Sequence, residues 1–133
     1  MTPIVLDSSV LVAILLGEPG AEALSDAVLA APIRRMSAAT LVEVGMVMQG
    51  RRGDVGAREL DLLLAQFSVE TVPLTAAHAA LARDAFRTFG KGRHPAGLNL
   101  GDCFSYALAV ALDEPLLFVG DDFGQTDVRV ATS

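Results

Sequence analysis

The sequence is poor in cysteine and in positive charge. A single cysteine, Cys103, excludes an internal disulfide framework and a zinc site built from several cysteines. Ten Lys and Arg residues stand against sixteen Asp and Glu residues, which gives a net charge of −6. This balance argues against a protein that grips nucleic acid over a broad basic surface. A small acidic site that binds a metal ion, and through it a phosphate group, remains compatible with the composition.

Long hydrophobic runs are also missing. The two longest, residues 10–16 and 106–112, contain seven residues each, whereas a membrane-spanning helix needs roughly 20. The first cation is Arg34, so no basic region introduces a secretory signal peptide. We therefore expect a cytoplasmic protein without a membrane partner.

The chain has the composition of one compact domain, since 52% of its 133 residues are apolar and 20% are charged, and we expect a single domain over residues 1–133. Predicted strands cover residues 4–6, 33–36, 69–72, 116–119 and 128–130, and predicted helices cover residues 10–16, 19–31, 37–50, 54–67, 75–89 and 99–112. This alternation favours the α/β class, with a mostly parallel twisted sheet of about five strands between helices on both faces. Ligands of such sheets bind beyond the carboxyl ends of the strands.

Three carboxylates occupy positions where a solvated charge is unexpected. Asp7 directly follows the first predicted strand, Glu43 lies in a helix that is apolar on nearly every side, and Asp102 lies in the first turn of another apolar helix. An unpaired buried carboxylate is costly, and no Lys or Arg lies within four positions of any of the three. They therefore pair with distant arginines or share a bound cation. Oxygen ligands without histidine or cysteine suit Mg²⁺ or Mn²⁺.

Each of these acids also has a purely structural interpretation. Asp7 could cap the first helix, Asp102 could be the capping-box acid of its helix, and Glu43 could pair with an arginine from another segment. The turn that contains Asp121 and Asp122 follows a predicted strand, as Asp7 does, but acidic turns of this kind are common. The argument therefore depends on the whole set of acids rather than on any one of them.

Four stretches of the chain together resemble the PIN-domain ribonucleases, specifically the VapC toxins of bacterial VapBC toxin–antitoxin pairs. They are Val-Leu-Asp-Ser-Ser at residues 5–9, Met-Ser-Ala at 36–38 leading to Glu43, Gly-Lys-Gly-Arg-His-Pro-Ala-Gly-Leu-Asn-Leu-Gly-Asp-Cys at 90–103, and Pro-Leu-Leu-Phe-Val-Gly-Asp-Asp-Phe at 115–123. The third stretch is the most specific, because it is long and unusual. The resemblance extends over essentially the whole chain and implies the PIN-like α/β fold.

The resemblance implies a Mg²⁺-dependent endoribonuclease, with Mn²⁺ as the alternative metal, in which metal-activated water hydrolyses an RNA phosphodiester bond. Asp7 and Asp102 match the principal metal ligands, and Glu43 matches a ligand that binds the metal directly or through water. The fourth acid is expected at Asp122, which directly precedes a phenylalanine, with Asp121 as the alternative.

Residues around the acids are assigned supporting roles. Ser9 matches a small hydroxyl residue that helps to hold the site in the resembling family. A basic run leads into the loop before Asp102, and RNA-backbone contact and a solvated helix face pairing with Asp84 are both compatible with it. Its members are Arg83, Arg87, Lys91, Arg93 and, as a further substrate contact, His94. The pair at residues 34–35 and the acid Glu114 are interpreted as solvated surface charges.

The resemblance further implies a homodimer and a cognate VapB antitoxin, which together form a heterotetramer or a larger assembly, with DNA bound only through the antitoxin. Two other functions stay open at this point. One is an RNA-processing PIN nuclease without an antitoxin, and the other is a PIN-like module that binds RNA or protein without cleaving it. Phosphatases of the haloacid dehalogenase type are excluded, because they need an aspartate where this chain has Ser9. The RNA that is cut and the number of metal ions are not determined by the sequence.

Overall fold

Four short parallel strands form the centre of the fold in a computed structural model, which describes residues 2–131. They are β1 (Ile4–Leu6), β2 (Arg34–Ser37), β3 (Glu70–Val72) and β4 (Leu116–Leu117), in the spatial order β3-β2-β1-β4. Every neighbouring pair is parallel. The predicted α/β class with a parallel sheet is therefore confirmed.

The sheet has four strands within the described residues, and the fifth strand predicted over residues 128–130 does not form. Val130 makes only an isolated bridge to Leu116. The Leu116 N–H donates to the Arg129 carbonyl oxygen at 2.8 Å, and the Leu116 carbonyl oxygen accepts the Ala131 N–H at 2.9 Å. Because β4 ends at Leu117, two residues earlier than predicted, this pairing does not extend into a strand.

In the described part of the chain, five α-helices surround the sheet: α1 (Ser8–Leu15), α2 (Ala21–Ala30), α3 (Ala38–Gln66), α4 (Ala76–Phe89) and α5 (Leu100–Leu112). The two helices predicted over residues 37–50 and 54–67 follow each other within α3. A break at Gly53, whose φ of 60° and ψ of −148° are not helical, separates them. Within residues 2–131, no helix combines the length and the apolar character that a membrane crossing requires.

The helices cover both faces of the sheet. Along β1, the side chains of Ile4 and Leu6 pack into the layer of α1, α2 and α3, whereas Val5 packs into the layer of α4 and α5. All three are buried. This double burial explains why β1 is continuously apolar in sequence and does not alternate with polar residues. The polar residue that follows it, Asp7, therefore lies at the carboxyl end of a strand that is buried on both faces.

Arg34 is not a solvated surface charge, contrary to the sequence-based interpretation. Its guanidinium donates to the carbonyl oxygens of Val28 and Leu29 at the end of α2, at 2.7 and 2.8 Å, and to the Phe67 carbonyl oxygen after α3, at 2.8 Å. The last carbonyls of a helix have no partner within the helix, and a cation there also complements the helix dipole. Arg34 thus joins the ends of two helices.

Arg35 and Glu114 are likewise structural and not solvated. The Arg35 guanidinium forms ion pairs with Glu70 on β3 and with Glu114, which precedes β4. The Glu114 side chain is only 12% exposed. These pairs connect β2, β3 and β4 near the amino ends of the strands, whereas Asp7 lies beyond the carboxyl end of β1.

Candidate active site

The carboxyl ends of β1 and β4 meet at one point of the sheet edge. Asp7 follows β1 directly, and its backbone N–H donates to the Leu117 carbonyl oxygen of β4 at 3.1 Å. The chain leaves β1 toward α1 on one face of the sheet, and it reaches β4 from α5 on the other face. The order of strands reverses at this point, which is where parallel sheets place their ligands.

Three hydrogen-bond donors hold the Asp7 carboxylate, which is 3% exposed. The Ser9 N–H and hydroxyl donate to Oδ2 at 3.1 and 2.6 Å, and the Ser105 hydroxyl donates to Oδ1 at 2.6 Å. The Ser9 oxygen also accepts the Val119 N–H, so one hydroxyl joins the segments that follow β1 and β4. Behind Ser105, the Thr40 hydroxyl lies 3.4 Å from its oxygen. Asp7 therefore caps α1 and is also held at the carboxyl ends of β1 and β4.

Glu43 projects from the second turn of α3 toward Asp7. Its Oε1 atom is buried and makes no hydrogen bond within the described residues. Burial raises the pKa of Glu43, the Ser8 hydroxyl opposes this rise, and the Asp7 charge adds to it. None of the ion pairs formed within residues 2–131 involves Glu43. The distant arginine that would give Glu43 a purely structural role is therefore not found there.

The Glu43 carboxylate lies against the backbone of Gly101, on the first turn of α5. A Cβ atom at position 101 would overlap both carboxylate oxygens. Only glycine leaves the space that the acid occupies, so α3 and α5 approach each other closely at this point.

Asp102 follows in the same turn of α5 and forms the predicted capping box with Asn99. The Asn99 N–H donates to Asp102 Oδ2 at 3.0 Å, and the Asp102 N–H donates to Asn99 Oδ1 at 2.9 Å. Burial raises the pKa of Asp102 to about 6, the Asn99 N–H opposes this rise, and the charges of Asp7, Asp122 and Glu43 add to it. Asp102 is therefore both a helix cap and a member of a cluster of acids.

The Asp-Asp turn after β4 contributes one acid to this cluster. The charge of Asp122 acts on Asp102, whereas that of Asp121 is not among the charges that do so. Phe123 is buried and packs its ring on Phe118, with 5.1 Å between the ring centroids. This packing anchors the turn directly beside Asp122.

The donor set suits a hard divalent cation. All four acids offer carboxylate oxygens, and the orphaned Oε1 of Glu43 is the kind of buried atom that a cation satisfies. Within residues 2–131, no three acidic, histidine or cysteine side chains converge closely enough to hold an ion between them. This separation is compatible with Mg²⁺, which keeps several waters and binds proteins through one or two carboxylates.

Three residues of the site were missed by the sequence reasoning: Thr40, Gly101 and Ser105. Ser105 carried a usable signal, because it is a small polar residue one helical turn after Asp102 in an otherwise apolar helix. Gly101 carried another, since a glycine inside a helix lowers its stability and is often present for a close approach. Thr40 carried none, because nothing in its neighbourhood distinguishes it from an ordinary helix residue.

The predicted basic residues lie on α4 and on the loop over residues 90–99. Arg87 is exposed and pairs with Asp84 at 2.8 Å, and Lys91 and Arg93 are exposed on the loop. His94 is half-buried, its Nδ1 atom accepts the Ala96 N–H at 3.0 Å, and its ring edge rests on Phe89. His94 therefore holds the loop in shape.

The profile of the PIN domain matches residues 4–129. Two curated relatives cover nearly the same span. Ribonuclease VapC of Mycolicibacterium smegmatis is 54% identical over 93% of this chain and 96% of its own length. Ribonuclease VapC30 of Mycobacterium tuberculosis is 52% identical over 93% of this chain and 95% of its own length. The chain belongs to the VapC ribonucleases of the PIN-domain family.

Solved structures of other VapC proteins share the fold. The crystal structure of Mycobacterium tuberculosis VapC20, described as a sarcin–ricin loop cleaving toxin, has a TM-score of 0.74 at 18% identity and covers 95% of this chain and 98% of its own. VapBC2 from Rickettsia felis, bound to a DNA fragment from its promoter, has a TM-score of 0.73 at 15% identity, with 97% and 96% covered. This VapC is therefore a ribonuclease of a family that supplies the toxins of VapBC systems.

Proposed function

We propose that this VapC is a Mg²⁺-dependent endoribonuclease that hydrolyses RNA phosphodiester bonds at the acidic cluster, with Mn²⁺ as the alternative metal. Asp7 and Asp102 are the principal metal ligands in this proposal, and Glu43 binds the metal directly or through water. Asp122 is the fourth acid, and Ser9 supports the site. The observation that carries the proposal is that carboxylates from four separate segments lie close enough at the strand-order reversal for the charges of Asp7, Glu43 and Asp122 to act on Asp102. Within the described residues, Glu43 Oε1 is left without a partner.

A bound divalent ion would lower the pKa of a coordinated water and offset charge on the leaving oxygen. The chain supplies orientation. Ser9 and Ser105 hold Asp7 before any ligand binds, so little freedom is lost when the site fills. Gly101 leaves the space in which the Glu43 carboxylate lies, and the capping box fixes the backbone that carries Asp102.

RNA and a VapB-type antitoxin are the proposed partners. Exposed cations on α4 and its loop would contact the RNA backbone, namely Arg87, Lys91 and Arg93, with His94 shaping the loop. A VapB antitoxin would inhibit cleavage, and the complex would be a heterotetramer or larger, built on a homodimer of this chain and carrying its DNA contacts on the antitoxin. The similarity of the fold to VapBC complexes from several bacteria supports this part of the proposal.

The test is cleavage of total RNA by the purified protein, with Mg²⁺ and with EDTA. Asp7→Asn and Asp102→Asn are each expected to lower cleavage at least about 100-fold, because they remove a ligand charge while keeping the shape. Asp61→Asn, an exposed acid on α3, is the matched control and should cut at the wild-type rate. Co-expression of an antitoxin encoded by a small upstream gene should stop cleavage.

Cleavage that persists in EDTA, or that both variants retain in full, would overturn the assignment of the site. A folded protein that binds Mg²⁺ and RNA but cuts no RNA in the pool would favour the module that binds without cleaving. Cleavage that no antitoxin suppresses would favour an RNA-processing nuclease.

A further inference from the structure

Three arginines surround one cavity on α4, outside the acidic cluster. Arg83 and Arg87 are one helical turn apart, and Arg93 reaches the same place from the following loop. The cavity has a volume of about 520 Å³ and also contains Phe86 and Asp84. Three of the ten basic side chains of a chain with net charge −6 therefore meet around a single acid. Asp84 pairs with Arg87 at the exposed surface, where such a pair contributes little and is easily exchanged.

The Phe86 ring is held in this cavity although it is 41% exposed. The Arg93 guanidinium lies over the ring, 5.8 Å from its centroid. A Cβ atom at position 90 would lie 2.2 Å from the Phe86 carbonyl oxygen and 2.7 Å from its ring, so Gly90 lets the chain pass close to both. The two ends of the loop that carries Arg93 are joined by a hydrogen bond, because the Lys91 N–H donates to the Leu98 carbonyl oxygen at 2.9 Å. Neighbouring backbone contacts therefore hold Arg93 and the Phe86 ring together at the surface.

A second cavity, of about 580 Å³, opens on the other side of Phe86 between α4 and α5. Phe86 and Arg83 belong to both cavities. The second one is lined mainly by apolar groups, among them Leu100, Cys103 and Phe104. Leu100 and Cys103 lie on either side of Asp102 in the first turn of α5. The two cavities form one groove, which therefore begins at the end of the helix that carries this acid.

We infer that this groove is a nucleotide subsite, in which an unpaired base of the RNA stacks on Phe86 and the adjoining phosphates bind Arg83, Arg87 and Arg93. The inference rests on RNA being the substrate, as proposed above. Aromatic rings interleaved with arginines are the arrangement that binds single-stranded nucleic acid, because every base has a π-face and every link carries a charge. The base must be unpaired, since a base inside a duplex already has both faces covered. The concentration of positive charge favours a polyanion over an apolar peptide segment as the occupant.

The test measures binding of a labelled single-stranded RNA oligonucleotide to the full chain in EDTA, so that cleavage plays no part. Phe86→Leu keeps the apolar volume but removes the stacking surface, and it should weaken binding about 10-fold. Arg87→Ala should also weaken binding. It should reduce the magnitude of the negative slope of log K against log salt by about 0.7, because one phosphate contact is lost. The matched control is Arg58→Ala, an exposed arginine on α3, which should change neither quantity. Hydrolysis of bis(4-nitrophenyl) phosphate, which is too small to reach the groove, should be the same in Phe86→Leu, in Arg58→Ala and in the wild type.

Unchanged RNA affinity in Phe86→Leu would overturn the inference. So would a loss of affinity for a VapB antitoxin without a loss of affinity for RNA, because the groove would then be a protein-docking surface. A protein that binds RNA through Phe86 but cleaves nothing would contradict the proposed nuclease and leave the subsite standing. Efficient RNA cleavage that is insensitive to Phe86→Leu and Arg87→Ala would contradict the subsite and leave the proposed nuclease standing.

Discussion

The Ser105 hydroxyl donates a 2.6 Å hydrogen bond to Oδ1 of Asp7, although 98 residues separate the two in sequence. Both side chains are buried, and the bond joins α5 to the end of β1. The direction of the Asp7 carboxylate therefore depends on how α5 packs on the sheet. The oxygen that Ser105 holds belongs to the acid that we propose as a principal metal ligand.

Ser105→Ala should lower the rate of RNA cleavage about 10-fold, because a carboxylate ligand that loses its supporting hydrogen bond loses its orientation. The free energy of unfolding should fall by about 1 to 2 kcal/mol, since Asp7 Oδ1 loses a buried partner. Leu108→Val, a buried residue of the same helix, is the control for destabilisation alone. Equal cleavage rates in the two variants would remove Ser105 from the site.

Gly101→Ala should lower cleavage without lowering stability. The new methyl group would overlap the Glu43 carboxylate and displace it, whereas alanine is favoured over glycine in a helix by up to about 1 kcal/mol. Gly45→Ala is the matched control, because nothing lies within 4 Å of a Cβ atom at that helical position. Cleavage rates and thermal unfolding of both variants separate the two effects. A Gly101→Ala protein with full activity would show that the position of Glu43 is unimportant.

Asp102→Asn should change how stability depends on pH in the metal-free protein. A carboxyl group whose pKa is raised to about 6 favours the folded state below its unfolded pKa, and this contribution is lost as the pH rises through 6. In EDTA the variant should therefore be more stable than the wild type at about pH 7.5, on the order of 1 kcal/mol after allowance for partial exposure. This advantage should shrink toward about pH 5, as measured by chemical denaturation. An advantage independent of pH would contradict the raised pKa.

Asp122→Asn and Asp121→Asn distinguish the two candidates for the fourth acid. Of these two acids, Asp122 is the one whose charge acts on Asp102. Removal of the Asp122 charge should therefore lower cleavage about 10-fold, whereas removal of the Asp121 charge should leave the rate unchanged. Both residues are exposed, so neither variant should lose more than about 0.5 kcal/mol of stability. The opposite order of rates would move the assignment to Asp121.

Arg34→Lys should destabilise the fold and spare the chemistry. A lysine cannot reach the three carbonyl oxygens that the guanidinium binds, so the ends of α2 and α3 would lose partners. We expect a loss of about 2 to 3 kcal/mol in the free energy of unfolding. Arg58→Lys, on the exposed side of α3, should lose almost nothing. Cleavage at low temperature should be normal in both proteins, because Arg34 contacts no acid of the site.

Local patterns predicted most of the elements and the ends of the helices. The apolar run before Asp7 indicated a strand covered on both faces, and the Asn99–Asp102 spacing indicated the capping box that the structure contains. Apolar content alone did not reveal which faces of α3 are covered. Met48 is buried in that helix, whereas Met46 is 71% exposed, because burial depends on where the other helices cross it.

The sequence by itself determined the α/β class, the family and the acids that stand out from their apolar surroundings, since each of these depends on neighbours close in the chain. The tertiary structure alone decided which distant groups meet. It paired Ser105 with Asp7, gave Glu43 the space over Gly101 and turned Arg34 from an expected surface charge into a link between two helices. The physical reason is that these contacts are set by how α2, α3 and α5 pack around the sheet, and no short-range spacing in the chain encodes that packing.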